Sequence, residues 1–330
     1  MLKIGVIGTG HLGKLHTKLF KEIENCEIVG IYDIDEEKLN TVSKEFSVNS
    51  FNNLDDLLNS VDAVSIVSTT SAHYTIAKKA LEKGKHVFVE KPITAKISEG
   101  EEIVELAKKN GLNMQVGHIE RFNPALLSLE KFALEPTFIQ SDRLSQFNLR
   151  GTDVAVVHDL MIHDIDIILS LVKSEVRQVN ASGVAVVTDN IDIANARIEF
   201  ENGTVANVTA SRISQKKMRK MRMFQKDAYI TLDFSTGVSE IFRLLKPGDP
   251  ASENLLAFGE IGAGDKKKLL VYEQPELKEV NALKYELQLF VNSILEKKEP
   301  LVTGADGLRA LKVAEEIIKK INESRVQWKE

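Results

Sequence analysis

The opening thirteen residues constrain the fold more tightly than any other stretch of the chain. Ile4-Gly5-Val6-Ile7 is a short apolar run that passes directly into Gly8-Thr9-Gly10-His11-Leu12-Gly13, and a helical pattern begins at once. A strand, a Gly-x-Gly-x-x-Gly turn and a helix in that order mark a nucleotide-binding crossover. The first glycine permits the tight turn and the second lets the main chain approach a pyrophosphate. The third lets helix and strand pack closely, so that phosphates rest on the helix N-terminus. This fingerprint calls for an acidic residue roughly 20 positions further on, and Asp33 stands there, at the end of the second apolar run. A carboxylate suits the hydroxyls of an adenosine ribose and repels a 2′-phosphate, and the neighbouring Ile34 brings no cation. NAD is therefore expected over NADP, held by Gly8, Thr9, Gly10, His11, Leu12, Gly13 and Asp33. The competing role for Asp33 is to cap a helix that begins near Asp35.

The same alternation continues for about 120 residues. Strand candidates lie at 3–7, 27–32, 63–67, 86–89 and 113–116, separated by helical patterns at 13–22, 35–46, 72–83 and 98–110, the last two followed by Gly84 and Gly111 as stop signals. The strands are apolar nearly throughout, as in a parallel sheet covered on both faces. Beyond about residue 123 the texture changes. A mixed segment runs to Arg150, an apolar helix is expected over 158–172, and strand-like runs follow at 176–187, 193–200, 204–213, 218–225, 228–234 and 240–245. Asn202-Gly203 reads as a hairpin turn. The stretch 246–268, with Pro247, Gly248, Pro250, Gly259, Gly262 and Gly264, reads as loop-rich, and helices at 281–297 and 305–324 close the chain. The expected fold is α/β: a doubly wound domain over 1–121 and an α+β domain over 122–330 built on a broad, mainly antiparallel sheet.

Composition agrees with a two-domain globular chain. Of 330 residues 43% are hydrophobic and 28% charged, which is enough to build cores and argues against disorder. The net charge of −5 gives no general footprint for nucleic acid or anionic membrane. Cys26 is alone, so no intramolecular disulfide can form. No targeting pattern and no apolar run of membrane-spanning length is visible, and a soluble cytoplasmic protein is expected. No His, Cys or carboxylate cluster shows metal-ligand spacing.

Two further segments carry chemistry. The strand regions at 63–67 and 86–89 lead into Ser68-Thr69-Thr70-Ser71-Ala72-His73 and Glu90-Lys91-Pro92, and a later helix carries Asp159-Leu160-Met161-Ile162-His163-Asp164-Ile165-Asp166. Asp159 and His163 are four apart, which puts them on one helical face where the carboxylate can hold one ring nitrogen and leave the other to exchange a proton. Together with the glycine loop, these segments resemble the glucose-fructose oxidoreductase, inositol dehydrogenase and MocA family of NAD(P)-dependent oxidoreductases over essentially the whole chain. Thr70 replaces a proline, and Met161 a glycine, found in many members.

The resemblance implies that Lys91, Asp159 and His163 are catalytic, and that Ser68, Thr69, His73, Glu90 and Lys91 line the cofactor, with a cis Lys91–Pro92 bond. In the implied reaction a hydride passes between a carbinol carbon and NAD. His163, held by Asp159, is the expected base and Lys91 stabilises the reacting oxygen, although some relatives use the lysine as base. His11, His16, His118 and His158 are weaker candidates. Gly117-His118-Ile119-Glu120-Arg121-Phe122-Asn123-Pro124 further resembles the members that oxidise the 3-hydroxyl of UDP-N-acetylglucosamine or its uronate. On that basis Lys91, Arg121, Asn123 and His163 are expected at the substrate, unless Arg121 pairs with Glu120 or another acid. The basic run Lys216-Lys217-Met218-Arg219-Lys220-Met221-Arg222 reads foremost as a solvated edge strand, with a subunit contact or a diphosphate funnel as alternatives. Competing functions are a free-sugar or inositol dehydrogenase, an NAD-using glycosidase and a cofactor-sensing regulator. The broad second sheet has too few helices to cover both faces, which implies a homo-oligomer, a tetramer or a dimer.

Overall fold

The computed structural model describes residues 1–148, 154–246, 255–264 and 267–326. The chain begins with β1 (Leu2–Ile7), α1 (His11–Phe20), β2 (Cys26–Tyr32), α2 (Glu36–Phe46), α3 (Leu54–Ser60), β3 (Ala63–Ile66), α4 (Thr70–Glu82), β4 (His86–Glu90), α5 (Ile97–Lys109) and β5 (Met114–Gly117). These strands form one parallel sheet in the order β2-β1-β3-β4-β5. The order reverses beside β1, so the glycine loop after β1 lies at the switch point where open α/β sheets bind ligands. Asp35 caps α2 by accepting from the Lys38 N–H at 3.1 Å. Gly84 and Gly111 follow α4 and α5 with φ of 72° and 63°, the left-handed stops expected of them. The short helix α3 escaped the sequence reading. Its signal was Asn53, whose side chain accepts from the Asp55 N–H at 2.7 Å and caps a single apolar pair, Leu57 and Leu58.

The chain continues through α6 (Pro124–Leu127), β6 (Phe138–Leu144), a π-helical turn over Val157–Met161 that runs into α7 (Ile162–Leu171), β7 (Val176–Val184), β8 (Ile193–Phe200), β9 (Val205–Ser211), β10 (Met218–Phe224), β11 (Ala228–Asp233), β12 (Val238–Leu245), β13 (Leu256–Ile261) and β14 (Lys268–Glu273). It closes with α8 (Ala282–Leu295) and α9 (Gly304–Val326). The nine later strands form a second sheet, ordered β13-β14-β12-β11-β10-β6-β9-β8-β7, antiparallel except for the β6–β9 pair.

Two compact units result: Met1–Ile119 with Asn281–Lys312, and Glu120–Val280 with Val313–Glu330. The sequence pattern puts both closing helices in the second domain, but α8 buries Leu283, Leu287, Phe290 and Val291 in the core of the first unit. Phe290 meets Phe88 of β4 edge to face at 5.7 Å. Helix periodicity shows that α8 has an apolar face; it does not show which sheet that face will find.

In the second unit, Ala194 and Ala196 of β8 alternate with Ala206, Val208 and Ala210 of β9 as small buried residues. The bulky Ile162, Ile165 and Ile168 are buried on α7, which lies against β6 and β9. Several expectations need correction here. The mixed segment contains β6, which sits near the middle of the sheet; its remainder toward Arg150 lies partly outside the described residues. The loop-rich stretch contains β13 and the first residue of β14, while Pro247, Gly248 and Pro250 lie outside the described residues. β7 ends at Val184 because Asp192 accepts from the N–H groups of Val186, Val187 and Thr188 at 2.7–3.0 Å and draws them into a turn. The basic strand β10 is not an edge: it pairs with β11 on one side and β6 on the other. Met221 and Met223 are buried, and Lys220 and Arg222 point away from them.

One buried charge cluster ties α7 to this sheet. Arg143 of β6 donates from Nε and Nη2 to the carboxylate of Asp164 on α7 at 2.8 and 2.9 Å, and from Nη1 to Glu120 at 3.0 Å. All three side chains are buried. Removing the cation strands two acids in a low-dielectric interior, so Arg143→Met should cost about 3–5 kcal/mol of stability. Urea denaturation measures it, and an unchanged midpoint would show that the cluster does not hold α7.

Candidate active site

The glycine loop has the shape that its sequence demands. Gly8 takes φ +100°, and a Cβ there would lie 2.6 Å from the Val67 carbonyl oxygen just beyond β3. At Gly13 a Cβ would come within 1.9 Å of the Gly8 carbonyl oxygen, so α1 can sit this close to β1 only with glycine in that place. Around Gly10 nothing lies within 4 Å of the Cβ position, and no side chain caps α1 there. An open approach to the first-turn N–H groups of a helix is what a pyrophosphate requires. His11 and Leu12, the first residues of α1, are exposed beside it.

Asp33 is engaged with this loop. One carboxylate oxygen accepts from the Thr9 N–H at 2.6 Å and from its hydroxyl at 2.8 Å, while the other accepts from the Asp35 N–H at 3.0 Å. The cap of α2 is Asp35, so Asp33 is not the capping residue. It braces the glycine turn and, half-buried, keeps acceptor capacity toward a ribose. Ile34 beside it is 89% exposed. The two lysines that line the adjoining recess are both paired, Lys14 with Glu45 at 3.0 Å and Lys38 with Asp35 at 2.6 Å. The residues present therefore fit NAD, and the recess favours ribose hydroxyls over a further phosphate.

The next two strand ends lie along the same edge of the sheet. Thr69 is exposed at the start of α4, with Ser68 half-buried before it. His73 was expected to line the cofactor, but its ring is buried and both nitrogens face main-chain carbonyls, Pro92 at 3.0 Å and Ser68 at 3.1 Å. Burial lowers its pKa, with the two carbonyls acting in opposition. His73 thus straps the β3–α4 turn to the β4 turn. Glu90 ends β4, Lys91 follows it half-buried, and the Lys91–Pro92 bond is cis.

In the second unit, Asp159 lies in the π-helical turn and His163 at the start of α7, both half-buried. The π turn inserts a residue into the helical repeat just before His163, a distortion common at functional sites. His158 points elsewhere, with Nε2 2.9 Å from Glu315. Arg121 is anchored: its Nε and Nη2 donate in parallel to Asp166, each at 2.7 Å. Asn123 caps α6 by accepting from the Ala125 N–H at 3.1 Å, and its amide donates to the Phe234 carbonyl at 3.0 Å and to Glu120 at 3.2 Å. Both residues hold the second unit together. The sequence did contain the signal, because Asp164 and Asp166 sit in an isoleucine-rich helix, and buried acids require cations.

Comparison with known proteins agrees with this geometry. Residues 2–118 match the oxidoreductase family with an NAD-binding Rossmann fold, and residues 138–237 match the GFO/IDH/MocA C-terminal domain. A UDP-N-acetylglucosamine 3-dehydrogenase from Acidithiobacillus ferrooxidans is 35% identical over 317 residues, 95% of each chain. A myo-inositol 2-dehydrogenase from Thermotoga maritima is 25% identical and covers 98% of this chain and 97% of its own. The solved structure of the Acidithiobacillus ferrooxidans UDP-N-acetylglucosamine 3-dehydrogenase GnnA superposes with a TM-score of 0.86 over 97% of both chains, at 33% identity. With the glycine loop, the Asp33 brace and a match along nearly its whole length, this chain belongs to the GFO/IDH/MocA family of NAD-binding oxidoreductases.

Proposed function

We propose that this dehydrogenase oxidises the 3-hydroxyl of UDP-N-acetylglucosamine or of its 6-carboxylate. The observation that carries this reading is the near full-length match to a UDP-N-acetylglucosamine 3-dehydrogenase, at clearly higher identity than the inositol enzyme of similar coverage. NAD, when bound, would supply the acceptor for the hydride that leaves the carbinol carbon. The hydroxyl proton has to leave as that carbon is oxidised, and His163 is assigned to take it, with Asp159 orienting the ring and supporting its charged form. Lys91 is assigned to the reacting oxygen, where a hydrogen bond from its ammonium stabilises the developing negative charge. Arg121 and Asn123 already serve the second unit, so recognition of the nucleotide is not assigned to them.

The reading extends to a homo-oligomer. On the sheet face opposite the buried Met223, Ile230 and Ile241, a ladder of aromatic rings crosses five strands. Phe138 meets Phe224 at 5.8 Å, Phe224 stacks on Tyr229 at 4.7 Å, Tyr229 lies 5.9 Å from Phe242, and Phe242 lies 5.0 Å from Tyr272. A continuous apolar stripe of this kind suits a second copy of the chain.

Four outcomes are expected. In thermal-shift measurements NADH should protect the protein far more than NADPH, because Asp33 opposes the extra phosphate; equal protection would remove that role. Assays following NADH formation should show UDP-N-acetylglucosamine or its uronate oxidised and free N-acetylglucosamine a much poorer substrate, since binding energy from the remote nucleotide is lost. In the same assay Lys91→Ala and His163→Ala should each lower turnover by roughly a hundredfold or more with NADH binding retained. Comparable rates with the free sugar or an inositol would overturn the substrate assignment, and near-normal turnover of either variant would take that residue out of the chemistry. Light scattering at micromolar concentration should give a tetramer or dimer that Phe224→Glu dissociates; a monomeric wild type would refute the oligomer.

A further inference from the structure

The reaction as assigned makes no use of His16, yet its placement in the first unit is costly. The imidazole is fully buried on the inner face of α1, edge-on to Phe20 at 6.3 Å and Phe88 at 5.5 Å. A polar ring among aromatic side chains is tolerated only when its nitrogens are engaged. Nδ1 lies 2.9 Å from the hydroxyl of Ser65, a buried residue of β3, and Nε2, outside aligned hydrogen-bond geometry, makes a charge contact at 3.2 Å with Oε1 of Glu90 at the end of β4. Because a carboxylate only accepts, the proton belongs on Nε2, and Nδ1 accepts from the Ser65 hydroxyl.

Glu90 is constrained on its remaining sides as well. Its Oε2 accepts from the Lys91 N–H at 3.3 Å, and its carboxylate lies so close to β5 that a Cβ on Gly117 would be 3.0 Å from three of its atoms. Its pKa is lowered: burial pushes it up, and the His16 contact together with the Lys91 charge more than offsets this. Ser65, His16 and Glu90 therefore form one chain of side chains that begins in the sheet interior, passes through the helix carrying the glycine loop and ends against Lys91. A purely structural filler at this point would be a leucine or phenylalanine, which would pack without needing three partners.

We propose that His16 is a positioning residue for Lys91: through its Nε2–H it fixes the Glu90 carboxylate over Gly117, and that carboxylate holds Lys91 in its reacting pose. This rests on the assignment of Lys91 to the substrate oxygen. It also couples the cofactor helix to the acid–base end of β4, since any shift of α1 moves His16.

The two ring nitrogens can be separated by mutation. An asparagine amide at position 16 reaches toward Ser65 only, whereas a glutamine amide extends to the Nε2 position and can donate to Glu90. With the best sugar substrate, His16→Asn should lower kcat about tenfold or more while the Kd for NADH stays within about twofold, and His16→Gln should remain within about threefold of wild type. Gly117→Ala, which crowds the carboxylate without touching His16, should behave like His16→Asn and keeps the test open should that variant fail to fold. A second readout needs no substrate: trace acetylation in the NADH complex, quantified by mass spectrometry, gives the reactivity of Lys91 relative to the exposed Lys217. That ratio should change at least about twofold in His16→Asn and Gly117→Ala and stay near wild type in His16→Gln. Equal behaviour of the asparagine and glutamine variants in both readouts, or a loss confined to NADH affinity, would overturn the proposal. If no sugar is turned over, the proposed function fails, while the acetylation contrast still decides the role of His16.

Discussion

The contact between Gly13 and the Gly8 carbonyl is the constraint from which the first unit follows. With no Cβ at residue 13, α1 settles directly onto the end of β1, and its first-turn N–H groups are brought to the carboxyl edge of the sheet. The same approach carries His16, one turn further along, down to Ser65 and Glu90, and brings Thr9 within reach of Asp33. A helix standing one methyl group further out would lose all of these contacts together. The open N-terminus of α1 and the His16–Glu90 contact therefore share one steric cause, a short stretch of backbone packed closer than any side chain permits.

The second unit is organised by charge rather than by close backbone approach. Two guanidinium forks, Arg143 on Asp164 and Arg121 on Asp166, grip α7 at positions two residues apart on opposite sides of the helix, and Glu120 joins the first of them. Bidentate geometry fixes rotation about the helix axis as well as distance. Asp159 and His163 precede those acids on the same helical segment, so the forks set the orientation of the segment that carries His163. Packing of its buried isoleucines against β6 and β9 would hold α7 in place but would leave its rotation loosely defined.

Much of this was legible in the residues. The glycine spacing, the acidic residue after the second strand and the five apolar runs specify a doubly wound domain, and the structure has those strands within a residue or so of their expected limits. Six of the nine strands of the second sheet were visible as alternating runs for the same reason. The missed elements lacked strong local periodicity. β6 carries Gln140, Asp142 and the buried Arg143 in a short run, and β13 is exposed along its whole length and contains Gly259. Arg121 and Asn123 have chemistry that suits a substrate, with pairing to an acid as the alternative for Arg121; their partners, Asp166 and the Phe234 carbonyl, lie 45 and 111 residues away in the chain.

By itself, the sequence determined the local outcomes: which runs become strands or helices, where the main chain turns, and that a glycine loop opens onto the first turn of α1. These depend on side-chain size, periodicity and φ over a few residues, all of which are written in order along the chain. Only the tertiary structure decided which charges are paired, that α8 completes the core of the first unit, that β10 is interior rather than edge, and that His16 meets Glu90. Those results depend on which surfaces meet across long stretches of chain. A buried cation or an apolar face states that a partner is required, and the folded packing alone selects that partner.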